Sequence, residues 1–154
     1  MAELEHLGRD LLVAPFFAGD SWSTFDLELR PREDDRGREL GLDLGAAGGI
    51  DALRQALVLR LLTPRGSLEA LGHAGYGSRI HELIGRENNR RNRLLLRARV
   101  LETLLQEPRV AEVLAVEVSP DALDAGIVHV HAEVRPVGAE DEPAVALDLE
   151  VALQ

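Results

Sequence analysis

The sequence predicts an α+β fold: an antiparallel β-sheet, the C-terminal meander, with helices packed on one face. Three observations predict it. The first is period-two alternation near the C-terminus, where Val128, Val130, Ala132 and Val134 alternate with His129, His131, Glu133 and Arg135. The second is the same alternation in Val145, Leu147, Leu149, Val151 and Leu153. The third is a switch of period: from Arg90 to Gln106 apolar residues recur at helical spacing, and after Pro108 the spacing becomes two. Turn-forming stretches, Ser119 to Gly126 and Pro136 to Pro143, separate the strands, so a meander with one covered face is the economical arrangement.

Residues 1–48 read as an N-terminal arm with short strands, and 49–154 as the principal domain of a single globular chain. Leu11, Leu12, Val13, Phe16 and Phe17, broken by Pro15, read as an arm that packs on something. Phe25, Leu27 and Leu29 alternate with charged residues and predict a short half-buried strand. Pro31 to Glu39 reads as a charged loop, and Leu40, Leu42 and Leu44 as a second strand. Gly45 to Gly49 leads into a helix with the stripe Ile50, Leu53, Leu57 and Leu61, and Asp51 suits its first turn. Thr63-Pro64-Arg65-Gly66 predicts a type I turn. After the glycine-studded loop 72–77, Ser78 is placed to cap a short helix carrying Ile80, Leu83 and Ile84, closed by Gly85.

The long helix follows. Leu94, Ala98, Leu101 and Leu105 form its expected apolar face, widened by Val100 and Leu104. Arg90, Arg93 and Arg97 share one sector of its first half. Cations are disfavoured there by about 0.3–1 kcal/mol each when exposed, so an anionic neighbour is expected: a partner surface, or Glu82 and Glu87 of this chain. Pro108 stops the helix and leaves Glu107 and Arg109 on either side of a fixed corner.

Composition narrows the function. The 154 residues fit one domain able to bury roughly 70% of its unfolded surface. There is no cysteine, which excludes disulfides and thiolate metal sites. A net charge of -10 argues against a general nucleic-acid binder, and one tryptophan, one tyrosine and three phenylalanines are too few to stack on single strands. No apolar run approaches the ~18 residues of a membrane span, and the acidic start lacks a secretory signal, so the expected location is the cytoplasm.

No cofactor or metal is expected. Gly45 to Gly49 does not match G-x-G-x-x-G, and Gly72 to Gly77 lacks the lysine and hydroxyl of a phosphate loop. His129 and His131 share a strand face but have no evident third ligand. Neither a nucleophile elbow nor a cysteine nucleophile is present. Glu69, Glu82 and Glu107 could supply a glycosidase pair, although a chain with 27 acidic residues will bring some pair together by chance.

Four segments together resemble a known family: 53–66 (LRQALVLRLLTPRG), 75–79 (GYGSR), 82–85 (ELIG) and 107–110 (EPRV). Their order and spacing resemble the small baseplate wedge subunit of contractile injection systems, found in phage tails, phage-tail-like particles and type VI secretion. The resemblance covers roughly residues 49–118, and the C-terminal strands fit the family's sheet. It implies a non-enzymatic structural subunit that bridges the larger wedge proteins and the first sheath ring, templates the sheath, and lies near tube-initiator or hub proteins in about six copies around a ring. Carried onto this chain, Glu107, Pro108 and Arg109 become the wedge contact, with Arg90, Arg93 and Arg97 offering forked donors to an acidic partner. The C-terminal strands become the sheath contact, with Val145 to Leu153 placed either to lie on a sheet edge that accepts a strand or to reach over to a neighbour. The alternative is a lysozyme-like peptidoglycan-cleaving tail enzyme that uses carboxylates.

Overall fold

A computed structural model describes residues 5–13, 29–34, 36–139 and 143–154. The chain forms two compact units, Met1–Gln55 and Ala56–Gln154, and the division falls within its first α-helix.

In the first unit, β1 (Arg9–Leu11) pairs antiparallel with β4 (Ala46–Gly48). That strand was not expected from its glycines and alanines; pairing of Asp10 with Ala47 holds it extended. Of the arm's apolar residues, Leu12 is buried with Ala47 and Ala52 and Val13 is half-buried, while Leu11 is exposed. Gln55 is fully buried and fixes the arm's backbone: Leu11 O accepts from its Nε2 at 2.7 Å, and Val13 N donates to its Oε1 at 3.0 Å. A hairpin of β2 (Leu29–Glu33) and β3 (Glu39–Leu44) completes the unit. The expected loop at 31–39 is therefore shorter than its charge suggests. Pro31 sits opposite Leu42 in a two-stranded ribbon, where a missing N–H is tolerated. Asp34 closes the turn by accepting from the Arg36 and Arg38 N–H groups. Phe16, Phe17, Phe25 and Leu27 lie outside the described residues.

Helix α1 (Gly49–Leu62) buries Leu53, Leu57 and Leu61 as its periodicity requires, while Ile50 is half-buried. The turn after it is displaced by one residue from the expected one. Ser67 N donates to Pro64 O, so Gly66 stands third, at φ +89°, which a type I turn does not admit. Ile80–Leu83 forms a single 3-10 turn, with Ser78 Oγ accepting from Ile80 N; Ile80 and Leu83 are buried and Ile84 is exposed.

Helix α2 (Arg90–Leu104) starts at Asn89, whose side chain accepts from Asn92 N at 2.9 Å. Its buried residues are Leu96, Val100, Thr103 and Leu104. The expected apolar face is therefore corrected: Val100 and Leu104 are interior, but Leu94, Ala98, Leu101 and Leu105 are exposed. The helix has two apolar stripes, and periodicity cannot rank one above the other.

The C-terminal sheet is the expected antiparallel meander, β5 (Val110–Pro120), β6 (Ile127–Pro136) and β7 (Val145–Ala152), in that spatial order. The alternating valines and leucines of β6 and β7 are buried. Strand β5 carries two register irregularities, between Val110 and Glu112 and between Val113 and Ala115. These bulges blur its period in the sequence.

Candidate functional site

The last turn of α1 aims Arg60 toward a small polar cluster. Beyond the helix, residues 63–65 lie against Ser78: Ser78 N donates to Thr63 O and Arg65 N donates to Ser78 O, both at 2.8 Å. The approach leaves no room for a side chain at Gly77. A Cβ there would stand 2.4 Å from Thr63 O, and its φ is +100°. This close pairing sets Tyr76 beside Arg60, with the guanidinium carbon 4.5 Å from the ring centroid.

Arg60 also meets Glu107. Its Nη2 donates to Glu107 Oε2 at 3.1 Å, and Arg109 Nε donates to Oε1 at 2.6 Å. The side chains of Glu107, Arg60 and Arg109 are 5%, 14% and 30% exposed, so the carboxylate is interior and flanked by two cations. Burial alone would raise the Glu107 pKa, but the Arg109 hydrogen bond and the charges of Arg109 and Arg60 together hold it below its ordinary value. Val110 N donates to Glu107 O, closing a turn with Pro108 in second position, exposed.

A second set of charges braces the same elements. Arg79, Glu82, Arg99, Glu102 and Arg65 form an alternating chain, with contacts of 2.7, 3.9, 3.2 and 3.2 Å in that order. It ties the turn at 64–67 and the 3-10 turn at 80–83 to α2. The hydrogen bond from Arg79 holds the Glu82 carboxyl below its ordinary range.

The expected contact residues thus have different surroundings. Glu107 is turned inward, with an oxygen on each guanidinium. Arg93 Nη1 donates to the Asn88 side chain at 2.8 Å, and Arg97 Nε donates to the Val116 carbonyl of β5 at 2.8 Å. Arg90, Arg97 and Pro108 are exposed. Arg60 and Tyr76 were missed. The available signal was an arginine next to the buried stripe of α1, and the one tyrosine of the chain set between two glycines.

The histidines form two small polar groups on the sheet's outer face. His129 lies 2.7 Å from Asp121 and 3.7 Å from Glu150, and His131 lies 2.7 Å from Asp148 and 3.3 Å from Glu133. The hydrogen bond to Asp121 raises the His129 pKa, and those to Asp148 and Glu133 raise that of His131. Asp121, bonded to His129 and to two backbone N–H groups, is lowered to about 2. Among the described residues no three His, Asp or Glu side chains are grouped to hold a metal ion, and no helix is long and apolar enough to cross a membrane.

The two edges of the sheet differ. On β5, α2 delivers Arg97 to a backbone acceptor. On β7, Leu153 N points to Gly126 on the inner side, so even-numbered residues turn their backbone outward. Ala152 O accepts from Gly85 N, and Gln154 exchanges bonds with Arg86 and Asn88. Further up the strand, Ala146, Asp148 and Glu150 have no backbone partner on that side among the described residues.

No protein-family model and no curated protein matches the chain. It is similar to the crystal structure of a provisionally named tail lysozyme from Geobacter sulfurreducens, at 26% identity and a TM-score of 0.53. The likeness covers 66% of this chain and 87% of that one.

Proposed function

We propose that the chain is a structural subunit of a contractile, phage-tail-like baseplate, joining larger wedge proteins to the first sheath ring. The observation that carries the reading is the likeness to a protein named as a tail lysozyme, on a chain that holds the four wedge-like segments in order. The corner at 107–110 is the wedge contact, presented by Pro108 and the exposed part of Arg109, while Glu107 holds the corner from inside. The outward backbone of Ala146, Asp148 and Glu150 is the sheath contact, accepting a strand.

Two variants test these roles, read by electron microscopy of purified particles. Arg109→Gln, which keeps a donor for the buried Glu107 but removes the charge, is expected to abolish incorporation of a folded subunit. Ala146→Pro removes one outward N–H on an edge strand; it is expected to permit baseplates but prevent sheath assembly. Normal particles with full-length sheaths in both variants would refute the assignment.

The neighbour's name favours a second reading, a wall-cleaving enzyme. A glycosidase acid needs a raised pKa, and Glu82 and Glu107 are both lowered by arginines. The purified chain is expected to leave a cell-wall suspension turbid. Clearing that is lost in Glu69→Gln or Glu82→Gln would establish the enzyme instead.

A further inference from the structure

Among the described residues nothing covers the outer stripe of α2, although its composition is that of a buried surface. Leu94, Leu101 and Leu105 are 54%, 38% and 62% exposed, with exposed Ala98 between them. Residues 94, 98, 101 and 105 are spaced four, three and four, the interval of a coiled-coil seam. The stripe is one residue wide and about 16 Å long at the rise of an α-helix. Such a surface fits a second helix laid along it better than a strand or a globular knob, and Ala98 permits close approach midway.

The charges around it select the partner. Exposed Arg91 continues the seam by one step, and exposed Arg90 flanks it; neither forms an ion pair with a described residue. Both occupy the first turn of α2, where the helix dipole disfavours cations. A second copy of this chain does not meet the requirement. Laid antiparallel, its seam would offer these arginines Glu102, which already pairs with Arg65 and Arg99; laid parallel, it would set arginine beside arginine.

We infer that the Leu94–Leu105 face of α2 is a docking seam for an amphipathic helix of another protein, with an aliphatic stripe and carboxylates at the end that meets Arg90 and Arg91. The inference stands on exposure and charge; it shares Arg90 with the acidic-partner contact that the wedge resemblance implies, and the peptide test reads the seam without a baseplate. The baseplate reading otherwise uses the Pro108 corner and the β7 edge.

The test titrates the full chain with synthetic three-heptad helical peptides, followed by fluorescence anisotropy. One peptide has a leucine seam flanked by glutamates; the other has the same seam flanked by lysines. The chain's net charge is -10, so non-specific attraction would favour the lysine peptide. The seam predicts the reverse order, with the glutamate peptide at least about tenfold tighter. Leu101→Glu and Leu105→Glu are expected to weaken it by more than about tenfold with an unchanged melting temperature, because both side chains are exposed. The double change Arg90→Glu with Arg91→Glu should invert the preference. Stronger binding of the lysine peptide, no saturation by either peptide at about 1 mM, or wild-type affinity in Leu105→Glu would each overturn the inference.

Discussion

Replacing Glu107 by alanine tests the polar cluster most directly. The substitution leaves Arg60 mostly buried, with its Nε already lacking an acceptor, and removes the carboxylate that balances it. Breaking a buried ion pair by deleting one partner typically costs about 3–5 kcal/mol. Arg60 keeps the Tyr76 ring and some contact with solvent, so the lower end applies, about 3 kcal/mol. For a chain of this size that is a fall in melting temperature of roughly 6–12 °C. Glu107→Gln preserves the shape and one acceptor and should lose about half as much. The double variant Arg60→Met with Glu107→Leu, which removes both charges, should return to within about 1 kcal/mol of the parent. Urea unfolding followed by circular dichroism measures all three. If Glu107→Ala stays within about 1 kcal/mol of the parent, the carboxylate is not what holds the corner. If the double variant is no better than Glu107→Leu alone, the loss comes from packing and not from a stranded cation.

Two further predictions concern other parts of the molecule. Gly77→Ala should lose more than about 3 kcal/mol, because strain at positive φ adds to a clash with Thr63 O; Gly66→Ala, also at positive φ but with open space around it, should lose only about 1 kcal/mol. Equal losses in urea unfolding would show that the 63–78 contact is looser than described. The raised pKa values of His129 and His131 make their contribution to stability complete below about pH 6.5 and lost as pH rises through their higher folded values. The melting temperature should therefore fall as pH rises above about 6.5, and His129→Gln with His131→Gln should flatten that part of the profile. Asp121 works in the opposite sense: its contribution is present above its ordinary value of 3.8 and disappears as pH falls toward about 2.

The sheet was legible because its strands have one wet and one dry face, so β6 and β7 wrote their register into alternating residues. Helix α1 was legible for a similar reason, since Leu53, Leu57 and Leu61 are its longest apolar series. The inner face of α2 was not. Leu96, Val100 and Leu104 and the outer Leu94, Leu101 and Leu105 are equally apolar, and only the tertiary fold decides which set meets β5. Strand β4 was hidden because its residues, Ala46 to Gly48, carry little strand preference. In the site, Glu107-Pro108-Arg109 was visible as a corner from its proline. The inward turn of the carboxylate depends on Arg60, which is 47 residues away and has no local signature.

The four segments that make the chain resemble wedge subunits meet in one place. Arg60 and the 63–66 turn come from the first, Tyr76 to Arg79 from the second, Glu82 from the third, and Glu107 and Arg109 from the fourth. Arg60, Arg65, Ser78, Arg79, Glu82 and Glu107 are each engaged by another of the four or by α2. A resemblance built on such residues therefore reports how the chain folds, because their chemistry is already occupied within the subunit. On the readings proposed above, contact with other proteins is expected at groups outside that lock: Pro108 with the exposed part of Arg109, the outward backbone of β7 and the leucine seam of α2. The first two carry the baseplate reading and the third stands apart from it, so a chain with an intact lock and an altered seam separates folding from docking.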